Sequence, residues 1–165
     1  MITTLILSLI LMAGLFLMLW AGVAFIQDPK YFSSAPKEVR DAILPKAERF
    51  KGAHALGWLL AVISILMMAG AVIYGMYDGI RNRFTFMQLF IRFVLMLLSL
   101  KAFDILFFDL YLLCNSDFFS HYYPEVKAHL GMHLFGFNAK EHAVMILLCP
   151  LIALVLALIC SLLIR

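Results

Sequence analysis

The residues with the most chemistry in them crowd into one stretch of the chain. His121, His129, His133 and His142 fall within twenty-two residues, and Asp104, Asp109, Asp117, Glu125 and Glu141 precede or interleave them. Imidazoles and carboxylates at this density can pass protons near neutral pH or hold a divalent metal. Pro124 suits the start of a short helix and Gly131 its end, which places Glu125 and His129 at i,i+4 on one face, with His121 before and His133 after. His121, Glu125, His129 and His133 are therefore the candidate ligands of a divalent metal, and three such ligands with an open position would serve a catalytic zinc. No H-E-x-x-H and no cysteine-rich ligand set accompanies them. Asp104, Asp109, His121 and Glu125 are the candidate acid/base groups. Asp104 and Asp109 do not read as an aspartic-peptidase pair, because α-helical winding would separate them by about 7.5 Å of rise and 140° of turn, too far to share one proton.

A second set interrupts an apolar run. Arg92, Lys101, Asp104 and Asp109 lie within 84–114, among Leu, Phe, Met and Ile. On an α-helix Gln88 and Ser99 fall within about 40° of Arg92, and Lys101 and Asp104, at i,i+3, can pair. No other span offers Arg92 a carboxylate. Its guanidinium then suits an anionic lipid phosphate or carboxylate, with snorkelling or backbone carbonyls as the alternatives. Gln88, Arg92, Ser99 and Lys101 form the expected ligand-binding set. Cys114, Cys149 and Cys160 make no Cys-x-x-Cys pair and read as apolar residues of packed helices.

The elements that must position these groups are membrane helices. Hydrophobic residues make up 65% of the 165 and charged ones 14%, with a net charge of +3. Soluble chains run at about 45–50% and 25%, so a soluble globular protein, a disordered chain and a nucleic-acid surface are all excluded, and the lipid bilayer is the expected partner. A hydrocarbon core of ~30 Å takes about 20 apolar residues per helix. The runs 1–26, 55–77, 84–104 with a helical extension to 114, and 143–164 meet that requirement and predict an all-α membrane protein. The expected architecture is a four-transmembrane-helix bundle in one integral membrane domain, 1–165. Residues 1–26 lack the basic start of a signal peptide and read as a retained span. Pro150 should kink the last span and free the carbonyl of Ile146.

Four spans put both termini and the 78–83 turn on one side, face A, and the loops 27–53 and 115–142 on the other, face B. Face B carries Lys30, Lys37, Arg40, Lys46, Arg49, Lys51, Lys127 and Lys140 against Arg81, Arg83 and Arg165 at face A. The positive-inside rule then makes the loops cytoplasmic and puts both termini on the opposite side. Trp20, Trp58, Tyr31, Tyr122 and Tyr123 also belong to face B, as an interfacial belt. After span one, Val39, Ile43, Ala47 and Phe50 recur at helical spacing beside Lys37, Arg40, Lys46 and Arg49, which predicts an amphipathic interfacial helix broken at Pro45 and drawn to anionic lipid. A polar cap is expected between spans three and four. Ala71, Gly75 and Gly79 form a small-residue stripe for close packing, either within the chain or in a homo-oligomer or another membrane partner.

Three functions are compatible with this reading. The first is an accessory or ligand-binding protein that recognises an anionic lipid-like or small ligand at face B. The second is a membrane-embedded enzyme, acid/base or metal-dependent, acting on a lipid-linked substrate. The third is a small transporter or channel protomer with the span-three charges along its path.

Overall fold

Burial on two of the long helices is the reverse of that in a water-soluble protein. In the computed structural model, which describes residues 2–28, 36–44 and 46–164, the buried positions of the helix Ala53–Arg81 are Ala53, Gly57, Ala61, Ser64, Ala71, Gly75 and Gly79. Those of Ala139–Leu163 are Cys149, Ala153, Ala157 and Cys160, while Leu66, Ile73, Leu147, Leu151, Val155 and Leu162 lie exposed. Water would drive those large aliphatics inward. Small residues inside and branched apolar ones outside suit a hydrocarbon surround, where close backbone approach drives packing. Three helices, Ile2–Ile26, Ala53–Arg81 and Ala139–Leu163, are long and apolar enough to cross a membrane, consistent with an integral membrane protein.

The described residues are all-helical. In chain order they form α1 (Ile2–Ala21), which continues as a π-helical turn, Gly22–Ile26, then α2 (Lys37–Ala42), α3 (Ala53–Arg81) and α4 (Phe86–Phe103). α4 continues as a π-helical segment, Asp104–Leu113, followed by α5 (Phe118–Tyr122), 3₁₀ turns at Pro124–His129 and Met132–Leu134, and α6 (Ala139–Leu163). Lys30, Tyr31, Pro45 and Arg165, placed above by sequence, lie outside the described residues.

α1 packs along α3 and α4 along α6, and α1 against α4 joins the two pairs. The α1–α3 pairing is antiparallel. A Cβ at Gly57 would lie 2.7 Å from Ile26 and 2.9 Å from Phe25, whereas one at Gly75 would lie 3.3 Å from Leu7 at the other end of α1. Ser64, fully buried, donates to the Gly14 carbonyl at 2.5 Å. Between α3 and α4, Arg83 takes a left-handed φ of 49°, and the amides of Phe84 and Arg83 return to the carbonyls of Gly79 and Ile80. This closes a Schellman turn with an arginine where glycine is usual. Thr85 and Gln88 then form a reciprocal capping box that starts α4. The main core joins Leu7, Leu11, Leu89, Phe93, Met96 and Ala157. Within the chain, Leu7, Phe93 and Met96 lie against Gly75 and Leu89 against Gly79, and Ala71 is buried in the same core.

Two expectations change at face B. The helix after span one is only six residues, and Val39 and Ile43 are buried beside Val126, Leu134 and Tyr123 instead of turned to lipid. Ile43 is already extended, Leu44 precedes a proline and is biased away from α, and Ala47 and Phe50 are exposed outside any helix. The cap between α4 and α6 is likewise built on this apolar core and latched by polar groups at its edge. Lys46 Nζ meets the Tyr122 carbonyl at 2.7 Å, the Glu125 carboxylate at 3.2 Å and the Tyr123 ring at 4.6 Å. Trp20 Nε1 donates to the Tyr122 hydroxyl at 3.1 Å, tying the cap to α1. α6 runs through Pro150 as one helix.

Candidate functional site

The site begins with the winding of Asp104–Leu113. Its π-helical hydrogen bonds run i→i+5, so residues five apart stack on one face. Asp104 and Asp109 are such a pair, and the 140° divergence expected of an α-helix narrows. Nothing local announces this, since 104–113 contains neither glycine nor proline. π-helical segments recur at functional sites because they re-aim side chains.

His142, in the first turn of α6, faces both carboxylates. Its Nε2 lies 2.5 Å from Asp109 Oδ2, and its Nδ1 lies 4.0 Å from Asp104 Oδ2. Asp104 also accepts from Lys101 Nζ at 2.6 Å, one turn earlier. All four side chains are largely withdrawn from solvent, at 12% exposure for His142 and 15% for Asp109 and Lys101. They stand in the wall of a cavity of about 730 Å³, a size typical of small-ligand sites. Leu15, Met18, Leu19 and Val23 of α1 and its π turn face them across it, with Phe108 and Leu113 beside them. Pro36 before α2, Val39 of α2, Phe119 of α5 and Asn138 complete the mouth, where Lys37 and Glu141 are exposed. The result is an apolar chamber with one polar wall at face B.

Asp109, if ionised, accepts the hydrogen bond, so the proton between it and His142 belongs to Nε2. Nδ1 of the neutral ring is then an acceptor, and it is buried with no hydrogen-bond partner. A carboxylate that fixes the tautomer orients the imidazole, while the other ring nitrogen is enclosed by the protein.

Comparison with known protein families, with curated proteins and with solved structures gives no match. The geometry alone therefore carries the functional reading.

Of the candidates named from sequence, Asp104, Asp109 and Lys101 are brought together here. His121 is exposed and stacks edge-on to Tyr122, outside the cavity. Glu125 belongs to the Lys46 latch. Burial pushes its carboxyl up, but its backbone hydrogen bonds and Lys46 outweigh that and hold it below the ordinary value of 4.5. Glu125 and His129 do not share a face, because Pro124–His129 winds as a 3₁₀ helix, in which i and i+4 differ by about 120°. His133, exposed, is 4.0 Å from an exposed Glu38. The four expected metal ligands are thus dispersed, and among the described residues no group of three or more His, Cys, Asp or Glu is placed to hold a metal ion.

Arg92 is also elsewhere, and it has the carboxylate that the sequence did not offer it. It is 3% exposed, 2.7 Å from Asp78 Oδ2, donates to the Gly75 carbonyl at 3.0 Å and lies over the Phe84 ring at 4.5 Å. Asp78 had been assigned to the short turn at face A. α3 continues through it to Arg81, which brings the carboxylate onto α4. Gln88 is exposed and spent on capping α4, and Ser99 is half-buried away from the cavity lining. The residue that sequence reasoning left without a role is His142. Its sequence neighbours, Glu141 and Ala143, give no sign that its partners are thirty-three and thirty-eight residues upstream.

Proposed function

We propose that the chain is an integral membrane protein in which α4 is a fourth span beside α1, α3 and α6. On this reading face B is cytoplasmic, and the cavity at that face binds an amphiphile, with its chain against α1 and its polar head on the Asp104–Asp109–His142 wall. The observation that carries this is the placing of a hydrogen-bonded Asp109–His142 pair, with Lys101 and Asp104, opposite the apolar Leu15, Met18, Leu19 and Val23 in one cavity. Buried polar groups are costly unless satisfied, and the partly exposed Asp104 and Asp109 in the cavity wall offer polar contacts to a ligand head. The anionic ligand expected from sequence loses support, because Arg92 is held by Asp78 and Lys101 by Asp104. Arg92, one of the span-three charges that would line a transporter path, is buried on Asp78.

The test is native mass spectrometry of the chain released from nanodiscs. Wild type should retain one amphiphile per chain, and Val23→Trp, which fills the chamber, should lose it. Equal retention by the filled variant would refute the cavity as the site. The oriented His142 favours a second reading, a membrane-embedded acid/base enzyme on a lipid-linked substrate. It requires that Asp109→Asn abolish turnover while leaving ligand retention intact.

A further inference from the structure

We infer that α1 and α3 form a binding site for an anionic phospholipid of the face-A leaflet, with one acyl chain in the groove between the two helices and the phosphate on Arg81. The site is separate from the face-B cavity and rests only on α1 and α3 crossing the bilayer.

The groove is a space of about 530 Å³ lined by Ile6 and Ile10 of α1 and by Leu66, Met67, Gly70 and Tyr74 of α3. Gly57, Gly75 and Gly79 of the same helix are each covered, since a Cβ there would come within 3.3 Å of Ile26, Leu7 or Leu89. A Cβ at Gly70 meets nothing within 4 Å, so this glycine bears its penalty in a helix without a packing partner inside the chain. The same face of α3 turns polar toward face A. Residues seven apart on an α-helix differ by about 20°, so Met67, Tyr74 and Arg81 form one line, with Gly70 and Tyr77 in the line beside it. Tyr74 and Tyr77 are about half exposed and their rings lie 6.2 Å apart, as suits an interfacial belt. Arg81, exposed at the end of α3, makes no hydrogen bond or ion pair through its side chain with any described residue. Asp78, one turn before it, is engaged by Arg92 at one oxygen and by Asn82 at the other. A phosphate therefore has no rival within the chain for the Arg81 guanidinium, and the exposed Arg83 adds a second positive charge in the same turn. The lengths agree as well. From Leu66 to Arg81 α3 rises about 22 Å, and one leaflet measures about 20–22 Å from the bilayer centre to the outer edge of its head groups. A phospholipid with its phosphate at Arg81 thus lays its chain alongside Leu66–Tyr74, where the groove is.

The groove is open to the bilayer, so its lipid exchanges and is read in the membrane. The experiment uses the full chain in phosphatidylcholine nanodiscs doped with phosphatidylglycerol that carries a diazirine on one acyl chain. After irradiation, peptide mass spectrometry should place the adducts on Thr3–Ile10 and Leu66–Tyr74. Gly70→Leu, which fills the groove, should lose them while keeping wild-type helicity and resistance to unfolding, because nothing packs at Gly70. Unlabelled phosphatidylglycerol should compete about 5-fold better than diacylglycerol of the same chains, the effect of one basic residue beside an anionic head. Arg81→Gln should bring that ratio to under about 2-fold and keep the adducts in the groove. Adducts spread evenly over the exposed faces of α3 and α6 and unchanged by Gly70→Leu would overturn the groove. Equal competition by phosphatidylglycerol and diacylglycerol would overturn the phosphate on Arg81. A disulfide-linked dimer of Gly70→Cys, formed in the nanodisc, would assign the groove to a second copy of the chain and overturn the proposal.

Discussion

Replacing Asp78 by Asn should destabilise the protein by about 3 kcal/mol. The Arg92 side chain is 3% exposed and its ion-pair partner 18%, so the substitution leaves a guanidinium buried between α3 and α4 without a counter-charge. Breaking a buried pair from one side costs about 3–5 kcal/mol. The Gly75 carbonyl, 3.0 Å from Nη1, and the Phe84 ring remain as partners, and Asp78 is partly exposed, which sets the expectation at the lower end. About 3 kcal/mol is a shift of roughly two decades in the folding equilibrium, readable by sodium dodecyl sulfate titration in mixed micelles. The double variant Asp78→Leu with Arg92→Met removes both charges and should return to within about 1 kcal/mol of wild type, since apolar replacement of a whole buried pair is close to neutral. Additive losses in that cycle, or a cost below about 0.5 kcal/mol for Asp78→Asn, would refute the account of Arg92 as a paired core residue.

Other outcomes follow from the same contacts. Gly57→Ala should cost about 1–3 kcal/mol, because its Cβ would press on the Phe25 Cβ and lie 3.0 Å from the Ile26 amide nitrogen. By contrast Gly70→Ala, with nothing within 4 Å, should be neutral or stabilise by up to about 1 kcal/mol. The same unfolding titration separates them. The Lys46–Glu125 latch should weaken in acid. Glu125 is held below 4.5 in the folded state, so its contribution is complete above 4.5 and lost as the pH falls through the folded value. The hydrogen-exchange protection factors of the 3₁₀ turn Pro124–His129, taken against intrinsic rates at each pH, should fall there in wild type and stay constant in Glu125→Gln. Cys114, Cys149 and Cys160 are all free and buried, so a maleimide should label them only after denaturation, and early labelling would contradict the packing of α4 on α6.

Composition and the length of the apolar runs determined the class of this protein. Hydrophobicity sustained over a span's length leaves no alternative to membrane helices, and the elements at 1–26, 55–77 and 143–164 are found at 2–26, 53–81 and 139–163. The Lys101–Asp104 pair was legible for the same reason, because i,i+3 neighbours meet whatever packs around them. The Asp–Arg pair between α3 and α4 was not. Its partners are fourteen residues apart across a turn, and only the overlap of two antiparallel helices brings them within 2.7 Å. The metal set failed because i,i+4 placement assumes 3.6 residues per turn, and Pro124–His129 winds at about three. The site itself was decided wholly by tertiary structure. Ten residues of π winding stack Asp104 over Asp109, and α6 arrives antiparallel with His142 at its first turn. Both follow from packing between distant segments, whose energy no local pattern of residues records.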